Sequence, residues 1–149
     1  MRIDKGIKTA VVTGGSAGIG LAISQHLLRE GYRVLSLSRS CTTWEDANFI
    51  QFQVDLSDRE STARAAAKIA EYSPIVLVNN AGVVKSAFLE DVALEDLDYL
   101  SDLYLGSSIV LAKACLPSMK QSGRGRGRKR DVTGRCVGLV GRRGSVTEQ

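Results

Sequence analysis

The chain has 149 residues, 44% of them apolar and 24% charged, the size and balance of one ordinary soluble domain and too short for two comfortable ones. Its net charge of +4 is unevenly placed: residues 1–122 hold twelve Lys or Arg against fourteen Asp or Glu, whereas residues 123–149 hold eight against two. The opening Met1-Arg2-Ile3-Asp4-Lys5-Gly6 has no signal-peptide core, no apolar run nears the roughly 18 residues of a membrane span, and Cys41, Cys115 and Cys136 form no Cys-x-x-Cys pair, so the expectation is a cytoplasmic protein with reduced thiols, no metal site and no membrane contact.

Thr9-Ala10-Val11-Val12 is an apolar run that predicts the first strand. Thr13-Gly14-Gly15-Ser16-Ala17-Gly18-Ile19-Gly20 follows it, and Leu21 to Arg29 carries apolar residues at helical spacing. A strand turning through glycines into a helix gathers backbone N–H groups and the positive end of the helix dipole at one point, which suits a phosphate. The same glycines would also serve a tight strand-to-helix turn with no ligand, and that alternative stands beside the first. A Walker-type loop fits less well, because no Lys-Ser or Lys-Thr follows the glycines.

Gly31 sets off Arg33 to Ser38 as a second strand, and a polar loop leads to Phe49–Val54, a third strand ending at Asp55. Ser57 or Asp58 can cap the next helix, whose apolar positions include Ala63, Ala66, Ala67, Ile69 and Ala70, with Pro74 as its stop. Ile75-Val76-Leu77-Val78 reads as a strand buried on both faces of a parallel sheet. Val92 to about Gln121 predicts a helix broken near Gly106, acidic early and basic late in accord with its dipole. Alternating strands and helices of this kind make an α/β fold, a parallel sheet with helices on both faces.

From about Lys8 to Gly123 the chain resembles the first two-thirds of a short-chain dehydrogenase/reductase. Thr13-Gly14-x-x-x-Gly18-x-Gly20 is similar to that family's cofactor turn, Asp55-Leu56 to its adenine-contacting pair, Asn79-Asn80-Ala81-Gly82 to its signature after the fourth strand, and Leu116-Pro117-x-Met119 to a late helix motif. The resemblance implies an incomplete Rossmann-like sheet of spatial order 3-2-1-4 and oxidoreduction of a carbonyl or alcohol with a nicotinamide dinucleotide. It implies cofactor contacts from Gly14, Ser16, Gly18, Ile19, Gly20, Ser38, Arg39, Asp55, Leu56, Asn80, Ala81 and Gly82. Taken alone, Asp55 would equally serve as a helix cap or turn residue. At the end of the second strand, Ser38-Arg39 stands where an acidic residue would repel a 2′-phosphate. A hydroxyl and a guanidinium there favour NADP over NAD, although an arginine in a polar loop is also often just solvated.

The family's chemistry needs a serine and a Tyr-x-x-x-Lys unit. The tyrosines here are Tyr32, Tyr72, Tyr99 and Tyr104, and none has a lysine four residues later. Counting back from Pro117 puts Tyr104 where the family carries a helix asparagine, and a buried phenol is expected not to replace an amide. No catalytic residue is assigned, and this chain is expected to bind NADP at most.

Past Gly123 comes Arg124-Gly125-Arg126-Gly127-Arg128-Lys129-Arg130, a basic Gly/Arg-rich tail expected to be poorly ordered. Gly134-Arg135-Cys136-Val137 is a weak strand candidate, with Gly141 where the serine would then fall. The abrupt change at residue 123 reads as a frameshifted or truncated reductase gene. The alternative is a non-catalytic binding protein whose tail touches nucleic acid nonspecifically through its cations. An open sheet edge and an exposed long helix predict self-association, a habit that the resemblance also implies. His26 is expected at the surface, Trp44 packing a loop, Cys115 buried, and the acids Glu90 to Asp98 as a solvated helix start.

Overall fold

The structure, a computed structural model, describes residues 6–83 and 88–122. The expectations for the tail, from Arg124–Arg130 to the strand candidate at Gly134–Val137 and Gly141, lie outside these residues. The elements run β1 (Thr9–Thr13), α1 (Gly18–Arg29), β2 (Arg33–Ser38), β3 (Phe49–Gln53), α2 (Arg59–Ala70), β4 (Val76–Val78), α3 (Leu94–Ser101) and α4 (Ser107–Gln121). A 3₁₀ turn at Leu89–Asp91 precedes α3, and a π turn at Asp102–Gly106 joins α3 to α4.

The four strands form one parallel sheet, as their alternation with helices predicts, in the order β3-β2-β1-β4 that the family resemblance implies. Every residue of β1 and β2 is buried, and successive side chains face opposite ways. Val12 and Val34 therefore enter the layer packed by Leu21, Ile23, Leu27 and Leu28 of α1. Val11, Leu35 and Leu37 enter the opposite layer, against Ala65, Ala66 and Ile69 of α2 and Leu111 and Cys115 of α4. Leu103, Ser107, Leu111 and Cys115 recur every four residues and are all buried, the stripe by which the π turn and α4 face the sheet.

Local chemistry explains the element ends. Asp58, not Ser57, caps α2, its carboxylate accepting from Glu60 N and Ser61 N. The helix ends at Ala70, before Pro74; Ser73 turns the chain at φ +49°. Pro74 is buried, and its carbonyl accepts from Ser118 Oγ of α4 at 2.5 Å. Trp44 packs edge-on against Phe49 with ring centroids 5.2 Å apart. His26 is exposed, and burial pushes the Cys115 thiol up to about 12.

The long helix differs from its sequence reading. It begins at Leu94 rather than Val92, and the break expected near Gly106 is a π turn over Asp102–Gly106. Leu94, Leu97, Leu105 and Ile109 are all exposed on this arm.

Candidate functional site

In a parallel sheet all strands end on the same side. The registers put Thr13, Ser38, Gln53 and Val78 at that edge, so the loops after β1, β2, β3 and β4 converge there. They enclose a cleft of about 200 Å³. Gly14, Ser16 and Ala17 line it from the glycine turn, Leu37 to Ser40 from the end of β2, Val54 to Leu56 from the end of β3, and Ala81 to Val83 from beyond β4. It lies where the chain crosses from one side of β1 to the other, the position at which open α/β sheets bind ligands.

The glycine turn is held without slack. Gly14 adopts φ +67° and its N–H donates to Leu37 O at 2.8 Å. A Cβ on Gly20 would lie 2.0 Å from Gly14 O and 2.6 Å from Asn80 Nδ2, so helix and turn touch through backbone alone. A Cβ on Gly15 would meet Ser36 Oγ at 2.7 Å and Ser24 Oγ at 2.9 Å, which accounts for small residues at those two buried positions. Gly18, at φ +52°, has nothing within 4 Å of its missing side chain. The turn is thus packed from behind and open in front.

Two side chains tie the turn to β4. Thr13 Oγ1 accepts from Asn80 N at 2.9 Å and Ala81 N at 3.0 Å. Asn80 Nδ2 in turn donates to Thr13 O at 3.2 Å and Gly14 O at 3.5 Å. Its neighbour Asn79 has a buried Nδ2 with no partner among the described residues.

Helix α1 has no side-chain cap at Ala17 and no acidic residue in its first turn. By contrast α2 carries the Asp58 cap and Glu60, and α3 carries Glu95 and Asp96. The positive end of the α1 dipole is therefore left without an internal anion, whereas α2 and α3 are compensated; α4, also uncapped, continues directly from the π turn and has no free N-terminus.

At the β2–β3 end, Ser38 Oγ accepts from Ser16 N at 3.3 Å. Arg39 is anchored through its carbonyl, which accepts from Gln53 Nε2 at 3.0 Å; its guanidinium has no ion pair among the described residues. Asp55 Oδ1 accepts from Ser57 Oγ at 2.6 Å and Ser57 N at 2.9 Å. Those two bonds, hydroxyl first, hold the Asp55 carboxyl below its usual value against a smaller opposing effect of burial, and the Arg39 charge adds a weaker pull in the same direction.

Of the residues singled out from sequence, Gly14, Ser16, Ser38, Arg39, Asp55, Leu56, Ala81 and Gly82 line this one cleft. Gly18 and Ile19 form the first turn of α1, with Ile19 75% exposed, and Gly20 and Asn80 brace the turn from behind. Sequence reasoning missed the wall made by Tyr99 and Leu103. Their spacing of four puts them on one helical face, but the pattern carries no sign of which face meets the cleft. It also missed the bracing role of Thr13.

The short chain dehydrogenase family model matches residues 8–127. The chain belongs to the short-chain dehydrogenase family. It is 36% identical over 122 residues to 3-dehydrosphinganine reductase TSC10A of Arabidopsis thaliana, an alignment covering 74% of this chain and 36% of that protein. It is 29% identical over 155 residues to the 3-oxoacyl-[acyl-carrier-protein] reductase FabG of Buchnera aphidicola, covering 98% of this chain and 61% of the relative. A solved short-chain dehydrogenase/reductase from Brucella ovis, in complex with a partially ordered NAD, superposes with a TM-score of 0.68 at 28% identity, over 76% of this chain and 58% of that one. The chain thus spans between about a third and three-fifths of the length of these family members.

One expectation is corrected here. Tyr104 is not buried but 38% exposed. Its hydroxyl accepts from Val83 N at 3.0 Å and donates to Val83 O. The phenol satisfies both backbone groups of one residue, a pairing that an amide side chain would also supply.

Proposed function

We propose that this chain binds a nicotinamide dinucleotide across the end of the sheet, with NADP favoured over NAD. The observation that carries the reading is the convergence of eight motif residues on one cleft beside an uncapped helix N-terminus. The fit is supported by the space in front of Gly18 and by backbone contact behind Gly14 and Gly20, a cradle that side chains would fill. In this reading the pyrophosphate meets the N–H groups of the first turn of α1, with Ile19 beside it. The adenosine lies toward Asp55 and Leu56, and the 2′-phosphate meets Ser38 and Arg39. The remaining half lies toward Asn80, Ala81 and Gly82, on the β4 side of the turn. Arg39 supports the preference because its guanidinium has no ion pair among the described residues, and Ser38-Arg39-Ser40 carries no acid at the end of β2.

When bound, the nicotinamide supplies a hydride donor or acceptor for a carbonyl or alcohol. The chain's own residues supply binding and orientation; its four tyrosines include none followed by lysine at the fourth position. We therefore infer that this chain by itself binds the cofactor without turning it over. The relatives reduce chemically different substrates by name, a 3-dehydrosphinganine and a 3-oxoacyl thioester on a carrier protein, and no substrate is assigned.

Exposed Leu94, Leu97, Leu105 and Ile109 support self-association through the helical arm. Among the described residues no helix is long and apolar enough to cross a membrane; the cytoplasmic location belongs to the same proposal. The excess of eight basic over two acidic residues at 123–149 supports a second reading, salt-sensitive nucleic-acid contact by the tail.

Equilibrium titration of the full chain with NADPH and NADH tests the main reading. NADPH is expected to bind at least about tenfold more tightly than NADH, with Arg39→Ala erasing most of that difference, as the loss of one charge-assisted contact would. Absence of binding by either nucleotide rejects the reading, and steady reduction of carbonyl compounds by the chain with NADPH rejects the inference that it does not turn over.

A further inference from the structure

Val83 lies five residues beyond the end of β4, where among the described residues no neighbouring strand serves its backbone. A backbone N–H and C=O leaving a sheet need partners of their own. Both are met by one atom, the Tyr104 hydroxyl, which accepts from Val83 N and donates to Val83 O. Val83 also lines the cleft together with Ala81 and Gly82.

The helix around Tyr104 is built for that contact. Over Asp102–Gly106 the chain widens into a π turn, closed by Ser107 N donating to Asp102 O. A π turn inserts one residue and rotates the side chains beyond it relative to a regular helix. Two serines serve carbonyls within it: Ser107 Oγ donates to Leu103 O at 2.6 Å and Ser108 Oγ to Tyr104 O at 2.7 Å. The start of the turn is pinned to α2 by Arg59 Nε on Asp102 Oδ1 at 2.7 Å. Leu103, beside Tyr104, is 8% exposed and seated in the core. The tyrosine is thus carried on a fixed base and reaches the end of a segment whose other ties are Ala81 N on Thr13 Oγ1 and the packing of Ala81 and Val83 on the core.

We propose that Tyr104 is a positioning residue whose phenol fastens the Ala81–Val83 wall to the π turn and so sets the β4 side of the cleft. The inference rests on the dinucleotide reading for its consequence, though not for the contact itself. In the strand order β3-β2-β1-β4, the β4 loop lies across β1 from Ser38 and Asp55. Loosening the wall should therefore affect the half of the dinucleotide remote from the adenosine.

The test compares the full chain with its Tyr104→Phe variant by three readouts: amide hydrogen exchange at Val83, affinity for NADPH, and affinity for adenosine 2′,5′-bisphosphate. Phenylalanine keeps the ring and removes only the hydroxyl. The expected result is exchange at Val83 faster by about tenfold and NADPH binding weaker by about five- to tenfold, the scale of a lost hydrogen-bonding group. Bisphosphate affinity and thermal midpoint should be unchanged. Unchanged exchange at Val83 overturns the anchoring role whether or not any nucleotide binds. Faster exchange with unchanged NADPH affinity, or equal weakening of both ligands, overturns the role in the cleft. Failure of the unsubstituted chain to bind either ligand rejects the dinucleotide reading and, with it, the claimed consequence for binding.

Discussion

The two walls of the cleft are held in different ways. The wall made by β1, the glycine turn and α1 is held by contact so close that no side chain fits: the missing Cβ of Gly20 would overlap Gly14 O at 2.0 Å. The wall made by α3, the π turn and the Ala81–Val83 segment packs on the core through Leu103 and the partly buried Tyr99, Ala81 and Val83, and its outer side is tied by polar links at the surface, with Leu94, Leu97 and Leu105 left exposed beside it. Close backbone contact tolerates no enlargement, whereas polar links at a surface can be cut singly at modest cost. The first wall is therefore read as fixed geometry for an anion, and the second as an adjustable side that sets what else the cleft accepts.

The largest effects should come from glycine substitutions that set the walls apart. Gly20→Ala forces the turn and helix away from each other and is expected to lower unfolding free energy by about 3 kcal/mol, with loss of nucleotide binding; chemical denaturation and titration would show both. A Cβ on Gly106, in the π turn, meets only Asp102 Oδ1 at 3.4 Å and Ser101 O at 3.8 Å. Gly106→Ala should accordingly stabilise the chain, by about 0.5–1 kcal/mol through helix propensity. The same substitution thus has opposite signs on the two walls, and equal signs would break the comparison.

Next in size is Asn80→Ala, which removes the amide donor to Thr13 O and Gly14 O. Losing those bonds is expected to cost about 1–2 kcal/mol in denaturant melts and to weaken nucleotide binding in parallel. Arg59→Ala, by contrast, breaks an ion pair whose arginine side chain is 84% exposed, and should change stability by no more than about 0.5 kcal/mol. A loss from Arg59→Ala equal to that from Asn80→Ala would show that the second wall is as rigidly built as the first.

The sequence made the first wall legible because its geometry is encoded in composition. Only glycine meets the demands at positions 14 and 20, and the apolar runs of β1 and β2 announce their burial on both faces. The strands and α1 follow from that pattern, and the strand order from the family resemblance. The second wall was legible only in part. The break near Gly106 was visible, but a π turn and a regular helix share nearly the same apolar spacing, so the pattern did not show which way Tyr99, Leu103 and Tyr104 point. Counting placed Tyr104 at the right position and gave it the wrong environment, because its partner is a backbone five residues past a strand and leaves no trace in residue type.

Smaller chemical effects sharpen the picture of each side. Asp55 has a depressed pKa in the folded chain, so its contact with Ser57 contributes above the ordinary carboxylate value near 4 and is lost as pH falls through the lower folded value. Removing the hydroxyl in Ser57→Ala should raise the Asp55 midpoint, read by NMR titration. An unmoved midpoint would detach that carboxylate from its observed partners. With its thiol pushed up to about 12, Cys115 should resist alkylation at neutral pH in the folded chain, while exposed Cys41 reacts. Peptide mapping after labelling distinguishes them.

The central claim, that a dinucleotide lies across both walls, is tested most directly by mapping backbone amide shifts of the full chain as NADPH is added. The account predicts that the amides of Ser16 to Ile19, Ser38 to Ser40, Asp55 to Ser57 and Ala81 to Val83 shift together with a single affinity. Shifts confined to a second groove, lined by Arg59 of α2, Leu105 of the π turn and Ile109 of α4, with the glycine turn unmoved, would contradict it.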